Sequence, residues 1–166
     1  ASGVAYYLAG QEPGPLVTIH GPSAMGNADA TFDASVDMMG TRLTAVEARL
    51  EQAGRQFPVF SLASPGQARF VQETPDRMRL TSVVASSQFV GLTDGTARLV
   101  IRAERLVLLG LRRAESTTSR DVNVRLTPPV ITVVSTHHYV KLGGAEMIVY
   151  RVAPPDVSSG VQVGDR

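Results

Sequence analysis

The chain has 166 residues, 43% of them hydrophobic, which is enough to bury the core of one sizeable domain and part of another. Sixteen Lys and Arg residues balance fifteen Asp and Glu residues, and the basic residues are scattered, which argues against a nucleic-acid-binding protein. The lack of cysteine excludes a disulfide framework and a thiolate metal cluster, and it suits either a reducing cytosol or an exported protein without disulfides.

The first ten residues, ASGVAYYLAG, are uncharged and mostly small or apolar. A membrane-spanning helix needs about 20 such residues, so this stretch alone does not span a bilayer. It suits the outer end of an N-terminal membrane anchor, an apolar first strand, a disordered tail or a processed end. We therefore treat residues 1–14 as an apolar N-terminal tail that is a candidate for the end of an anchor.

Alternation of apolar and polar residues with period two is the clearest pattern in the chain. In DATFDASVDMM, every second residue from Ala30 to Met38 is apolar, which predicts a strand with one wet face. Residues 85–93 are instead expected to form a loop or a single helical turn. Further strands are predicted at 15–21, 57–62, 68–73, 77–84, 97–106 and 119–126. Turn residues separate these strands at intervals of roughly ten residues, a rhythm typical of a β-sandwich.

The segment TRLTAVEARLEQAGR, residues 41–55, carries two conflicting patterns. Leu43, Val46 and Leu50 recur at helical spacing, and a possible capping box and a glycine frame them. Val46, Ala48 and Leu50 also alternate as in a strand, and QAGR can turn the chain into the next segment as a hairpin. The helix stays an alternative, but we favour a strand because a lone helix would leave the neighbouring sheet one member short.

Pro128 and Pro129 interrupt the strand pattern and favour a joint between two modules, because proline cannot donate a ladder hydrogen bond. After this joint, the residues from Val130 to Val134 alternate, KLGGAE predicts a turn, and MIVYRVA predicts a partner strand. We expect a β-sandwich over residues 15–127 and the start of a second sandwich, cut off within its first strands, over residues 128–166.

Adjacent histidines, His137 and His138 in STHHYVKLGG, raise the question of a metal site. Neighbours on a strand point to opposite faces, and neither His-x-His nor a pair four residues apart occurs, so we predict structural or surface roles. Asp29, Asp33 and Asp37 share one strand face, but the outer two would lie about 26 Å apart, too far for one calcium ion. No nucleophile elbow, cysteine nucleophile or phosphate-binding loop is present in the sequence.

The segment ERLVLLGLRRAES contains an apolar run bracketed by arginines. One interpretation is a buried strand or a bulged corner in which Gly110 allows the bend. The other is an exposed docking patch for a partner domain or a lipid surface. The candidate docking patch consists of Leu106, Leu108, Leu109, Leu111, Arg112 and Arg113.

Three stretches carry a family resemblance: LEQAGRQFPVFSL, the run from ERLVLLGL to MIVYRV, and DVSSGVQVGD. Together they resemble the non-catalytic, membrane-proximal region of exported bacterial zinc endopeptidases of the lysostaphin type, which cut peptidoglycan. The likeness extends from about Pro15 to Arg166. It implies immunoglobulin-like sandwiches that follow a short N-terminal anchor and precede the catalytic domain. The family's His-x-x-x-Asp and His-x-His elements are absent from the 166 residues, so no catalytic, cofactor-binding or metal residue is assigned.

The resemblance implies a spacer or positioning region, with a docking role, in a periplasmic peptidoglycan hydrolase tethered to the inner membrane. The implied partner is the catalytic domain of the same parent chain, which would hold the zinc; envelope proteins and the cell wall are further candidates. The alternative is an envelope binding or assembly module without a peptidase, whose partner is a carbohydrate or a protein. A carbohydrate site is disfavoured because the chain has no Trp and few other aromatic residues.

Overall fold

The computed structural model describes residues 12–107, 110–136 and 142–162. The chain divides into two compact units, Ala1–Leu126 and Thr127–Arg166, called the first and the second unit below. In chain order the strands are β1 (Leu16–Gly21), β2 (Ala24–Met25), β3 (Ala30–Asp37), β4 (Leu43–Gln52), β5 (Arg55–Ser61), β6 (Arg69–Thr74), β7 (Arg77–Val84), β8 (Gly95–Val107), β9 (Arg112–Val124), β10 (Val130–Val133) and β11 (Tyr150–Ala153).

The first unit is a sandwich of two sheets. One sheet has four strands in the order β1-β3-β7-β6, and the other has five in the order β2-β9-β8-β4-β5. Neighbouring strands are antiparallel except for β2, which runs parallel to β9. This is the strand order of an immunoglobulin-like sandwich, in which strands A, B, E and D form one sheet and C, F and G the other. The prediction of an all-β, immunoglobulin-like fold is confirmed.

The core of the first unit lies between the two sheets and follows the predicted alternation. Phe32 and Leu80 of the four-stranded sheet pack with Leu50, Leu99 and Ile101 of the five-stranded sheet, and all five side chains are buried. Removing one such side chain from water contributes about 1.5–3 kcal/mol. The repeated apolar positions therefore account both for the strands and for their assembly into two layers.

Residues 85–93 form a connection with a packing role. A single 3₁₀ turn spans Ser86–Gln88, as predicted for this segment. The ring of Phe89, which follows the turn, contacts Phe32 at 6.3 Å and Phe57 at 6.1 Å between ring centres, in both cases edge to face. Because Phe32 belongs to β3 and Phe57 to β5, this connection links the two sheets through aromatic contacts.

The ambiguous segment at residues 41–55 is a strand, as favoured above. β4 pairs with β8 on one side and with β5 on the other, so its backbone hydrogen bonds are used in the sheet. Ala53 and Gly54 connect β4 to β5 with φ angles of 49° and 77°. Positive φ at both central residues matches the tight hairpin turn whose twist suits two antiparallel strands. Pairing on both edges thus overrides the helical spacing of this segment.

Among the described residues of the second unit, β10 and β11 form an antiparallel strand pair. β10 and β11 are in register from Val130 opposite Ala153 to Val133 opposite Tyr150, which confirms the predicted partnership of these segments. Every residue of β10 is exposed. Of the predicted tail and anchor at residues 1–14, residues 1–11 lie outside the described residues. In the described part of the chain, no helix is long and apolar enough to cross a membrane.

Candidate interaction surfaces

The predicted docking patch surrounds the turn between β8 and β9. Leu106 is half-buried near the end of β8, whereas Leu111, in the turn, is 80% exposed. Arg112 and Arg113 open β9, and Gly110 supports the bend with a φ of 91°. The two members that lie outside the described residues are Leu108 and Leu109. A docking role for this patch stays a prediction, and Leu111 is the apolar member found at the surface.

Ion pairs cover the outward face of the β8–β9 hairpin beside this patch. The guanidinium of Arg102 lies 2.6 Å from the carboxylate of Glu115 and 2.9 Å from that of Glu104. Hydrogen bonding to Glu115 raises the pKa of Arg102 above its ordinary value. Arg113 lies 3.5 Å from the second oxygen of Glu104, so this arginine of the patch is already paired within the hairpin. The cationic side of the patch is therefore partly neutralised.

Two of the aspartates considered for calcium, Asp33 and Asp37, form ion pairs across the sheet. Arg79 of β7 donates two hydrogen bonds to Asp33, at 2.9 and 2.7 Å, and Arg77 donates two to Asp37, at 2.8 and 3.1 Å. The hydrogen bonds from Arg79 hold the pKa of Asp33 below its usual value, and those from Arg77 do the same for Asp37. This face of the sheet is solvated, as the sequence predicted, and the structure adds a ladder of ion pairs along it.

The described residues contain no cluster of side chains suited to hold a metal ion. His20 Nε2 and Ser35 Oγ form a hydrogen bond of 3.0 Å. Within the described ranges, no three His, Cys, Asp or Glu side chains are grouped to hold a metal ion. His137 and His138 lie outside the described residues, so their structural or surface roles stay a prediction.

A set of contacts that sequence reasoning missed joins β1 to β9. Ser116, Thr118 and Arg120 occupy alternate positions of β9 and lie on the same side as the fully buried Val122 and Val124. Their side chains donate hydrogen bonds to backbone carbonyls of β1 and the residue before it. The pairs are Ser116 Oγ with Pro15, Thr118 Oγ1 with Val17 (3.3 Å), and Arg120 Nη1 with Ile19 (3.0 Å) and His20 (2.8 Å). We call these contacts the β1–β9 seam.

The seam has a clear physical reason. β1 lies at the edge of the four-stranded sheet, where it pairs with β3 on one side, so carbonyls on its other side need donors. Donors from β9 supply them and close this edge of the sandwich. One feature of the sequence points to the seam: three polar side chains stand at inward positions of the strand that continues with Val122 and Val124.

Arg105 fixes the segment that precedes β1. Its side chain is 5% exposed and lies on the inward face of β8. Two of its nitrogens donate to the carbonyl of Pro13 at 3.1 and 2.8 Å, and the third donates to Thr41 Oγ1 at 3.2 Å. The carboxylate of Glu12 lies 3.6 Å away. A buried guanidinium needs such partners, so the end of the predicted tail is held against the sandwich.

Gly14 continues this attachment. A Cβ atom at Gly14 would lie 2.4 Å from the carbonyl carbon and oxygen of Glu115 and 2.7 Å from the backbone nitrogen of Ser116. Backbone atoms of a paired strand cannot move aside, so only glycine allows the chain to approach β9 this closely. Residues 12–14 therefore belong to the folded first unit.

The second unit presents an apolar face formed by β10 and β11. Ile131 and Val133 stand on the same side as their cross-strand neighbours Val152 and Tyr150. Both β10 side chains are more than half exposed, at 57% and 56%. A cavity of about 230 Å³ on this unit is lined by Ile131, Val133, Ile148, Tyr150, Gly160 and Val161. Two strands of four residues bury little apolar surface by themselves, which makes this face a candidate contact surface.

Comparisons with known proteins add no family assignment. No protein-family model and no curated protein matches the chain. Among solved structures, the chain is similar to the major subunit of aggregative adherence fimbriae type I, AggA, from Escherichia coli, at 14% sequence identity and a TM-score of 0.39. The match covers 68% of this chain and 94% of the fimbrial subunit. The immunoglobulin-like assignment rests on the strand order and pairing described above.

Proposed function

We propose that this chain is a non-catalytic assembly module of the bacterial cell envelope, and that it associates with a second copy of itself through the second unit. The observation that carries the proposal is the apolar face of β10 and β11, where Ile131 and Val133 are more than half exposed. Contiguous apolar surface of this kind is typical of a protein contact. The envelope location is supported by the resemblance to exported proteins.

The backbone of β10 supports the same association. In the described residues β10 pairs with β11 alone, and its residues, VITV, carry no charge, proline or glycine. Such an edge accepts a further strand readily. Antiparallel pairing of two β10 strands about Thr132 sets Ile131 opposite Val133 of the second copy. It also sets threonine opposite threonine, a favourable cross-strand pair. The apolar faces of β10 and β11 in the two copies then form one continuous surface.

Light scattering at rising protein concentration tests this proposal. We expect the average mass of the wild-type chain to rise toward that of a dimer, and the double variant Ile131→Lys/Val133→Lys to stay monomeric. Val71→Lys is the matched control, because Val71 is also 56% exposed but lies in the first unit. A wild-type chain that stays strictly monomeric at millimolar concentration would contradict the proposal.

A second candidate function is the spacer of a peptidoglycan hydrolase. It is supported by the sequence resemblance and by the path of the first unit. The chain is fixed at Pro13 beside Arg105, and it leaves the unit at Leu126, after the opposite end of β9. Ten residues of a strand span about 33 Å, so each unit of this kind adds reach between an anchor and an active domain.

The parent reading frame beyond Arg166 tests the spacer. A completed second sandwich followed by His-x-x-x-Asp and His-x-His is expected for a spacer, and a stop codon at that point contradicts it. Residues 1–166 alone should release no peptidoglycan fragments with or without zinc. Zinc-dependent cleavage by these residues would refute both functions proposed here.

A further inference from the structure

We infer a further function for the first unit: it bears tension applied between its two ends. This inference goes beyond both functions proposed above and rests on neither, because it follows from the directions and bonds of β1, β2 and β9. The question it answers is what happens to the unit when the chain before Glu12 and the chain after Leu126 are pulled apart.

The first strands and the last strand of the unit run in the same direction. Along the seam, successive carbonyls of residues 15, 17 and 19 meet successive side chains at positions 116, 118 and 120 of β9. β2 continues this alignment as a parallel partner of β9, with Ala24 beside Asn123 and Met25 beside Val124. The chain therefore enters beside the start of β9 and leaves after its end, at opposite ends of the seam.

Pulling the two ends apart shears these strands past each other. The force on β1 points toward its N-terminus and the force on β9 points toward its C-terminus, so it acts along the strands. Bonds that cross between parallel strands are then loaded together and cannot open one at a time. Each net hydrogen bond is weak on its own, at about 0.5–1.5 kcal/mol, so simultaneous loading is what makes a strand pair resist force.

Both ends of the loaded region are also anchored. At the entry, Arg105 holds the carbonyl of Pro13 with two hydrogen bonds and Gly14 lies against the backbone of β9. At the exit, Asn27 Nδ2 donates to the carbonyl of Leu126 at 2.5 Å, and the backbone nitrogen of Arg125 donates to Met25 at 2.8 Å. Tension on the two ends of the unit therefore loads the bonds of the seam before either end detaches from the sandwich.

A purely stabilising role for the seam makes a different prediction. If the seam only satisfies the carbonyls of an edge strand, removing its donors should lower the unfolding force in both pulling directions in the same proportion. If the seam bears tension, removing its donors should lower the force selectively when the unit is pulled by its two ends. The effect of seam variants in two pulling directions thus separates the two roles.

Single-molecule force spectroscopy on the full chain tests the inference. Handles at the two termini load the seam in shear. Handles at Thr96→Cys and Asn123→Cys load the β8–β9 hairpin from its open end, because these exposed residues are paired, and the chain contains no other cysteine. With handles at the two termini, unfolding of the first unit increases the distance between the handles by about 350–380 Å. This increase identifies the unfolding event. We expect at least a twofold higher unfolding force for the terminal handles.

Variants of the seam sharpen the test. The triple variant Ser116→Ala/Thr118→Val/Arg120→Met should lower the terminal unfolding force by about half and leave the force for the hairpin handles unchanged. Ile101→Val, a core change away from the seam, is the control and should lower equilibrium stability without changing the ratio of the two forces. If the triple variant does not fold, Thr118→Val alone replaces it, with a smaller loss expected in the same direction.

Equal forces in the two directions would overturn the inference, as would a seam variant that lowers both forces in the same proportion as Ile101→Val. These results are independent of the light-scattering test, which depends on the second unit. Failure of the assembly proposal and failure of the tension-bearing role can therefore be told apart.

Discussion

The two units of this chain differ in how completely they bury their apolar side chains. In the first unit, side chains such as Leu50, Leu80 and Leu99 are completely buried between two sheets, and the open edge of β1 is closed by donors from β9. In the second unit, every residue of β10 is exposed, Ile131 and Val133 among them. The first unit buries its core and supplies donors to the edge of β1, whereas β10 stays exposed in the described part of the second unit.

The largest expected effect comes from truncating the core of the first unit. Leu99→Ala removes a fully buried side chain and should lower the free energy of unfolding by about 2–5 kcal/mol, because it leaves a cavity between the sheets. Val133→Ala, in the second unit, should change it by less than about 0.5 kcal/mol, because the side chain is mostly exposed. Urea unfolding followed by circular dichroism measures both. Equal losses would mean that the two units do not differ as described.

An intermediate effect is expected where the predicted tail joins the first unit. Gly14→Ala forces a methyl group against the backbone of Glu115 and should cost about 1–3 kcal/mol. Gly26→Ala is the control, since its added Cβ would meet Arg125 at an ordinary 3.5 Å. The same urea titration distinguishes the two. If Gly14→Ala is as mild as the control, residues 12–14 do not belong to the closed unit.

The smallest effect concerns the charge ladder on the outer face of β3 and β7. The pKa values of Asp33 and Asp37 are lowered in the folded state by hydrogen bonds from Arg79 and Arg77. This pairing therefore stabilises the fold above the unfolded carboxyl pKa of about 3.9, and the stabilisation is lost as pH falls through the lower folded values. Asp33→Asn/Asp37→Asn should flatten the dependence of the urea midpoint on pH below about pH 5.

A neutral change on the same face is the control for the acid titration. Val83→Thr alters an exposed residue of β7 without removing a carboxylate, so its curve should run parallel to that of the wild type. The arginines in these pairs are exposed, so solvent screens the ion pairs and keeps the effect small. An unchanged acid dependence in the double asparagine variant would mean that these pairs do not stabilise the fold.

The sequence predicted strands well wherever one face meets the core and the other meets water. β3 and β7 are such strands, and their alternation is nearly uninterrupted. Residues 41–55 were ambiguous because the same apolar positions fit both periods over a short length, and pairing of β4 on both edges decides the outcome. Local patterns hold no information about such pairing.

The partners of the seam residues were not predictable from local patterns for a related reason. Ser116, Thr118 and Arg120 have the composition of a solvent-facing strand, and their acceptors lie far away in the chain. The apolar composition of the candidate docking patch was evident, but the exposure of Leu111 depends on the turn between β8 and β9. Side-chain identity alone does not give that exposure.

The sequence separation across the seam has a consequence for the order of events during synthesis. Three of its bonds join residues 101 positions apart, so β1 leaves the ribosome long before β9 exists. At about 5–20 residues per second, the interval is roughly 5–20 s. During that time the edge of β1 has no donors from β9, and the unit cannot complete its fold. Until the ninth strand has emerged, the edge of β1 is therefore open to pairing with other chains.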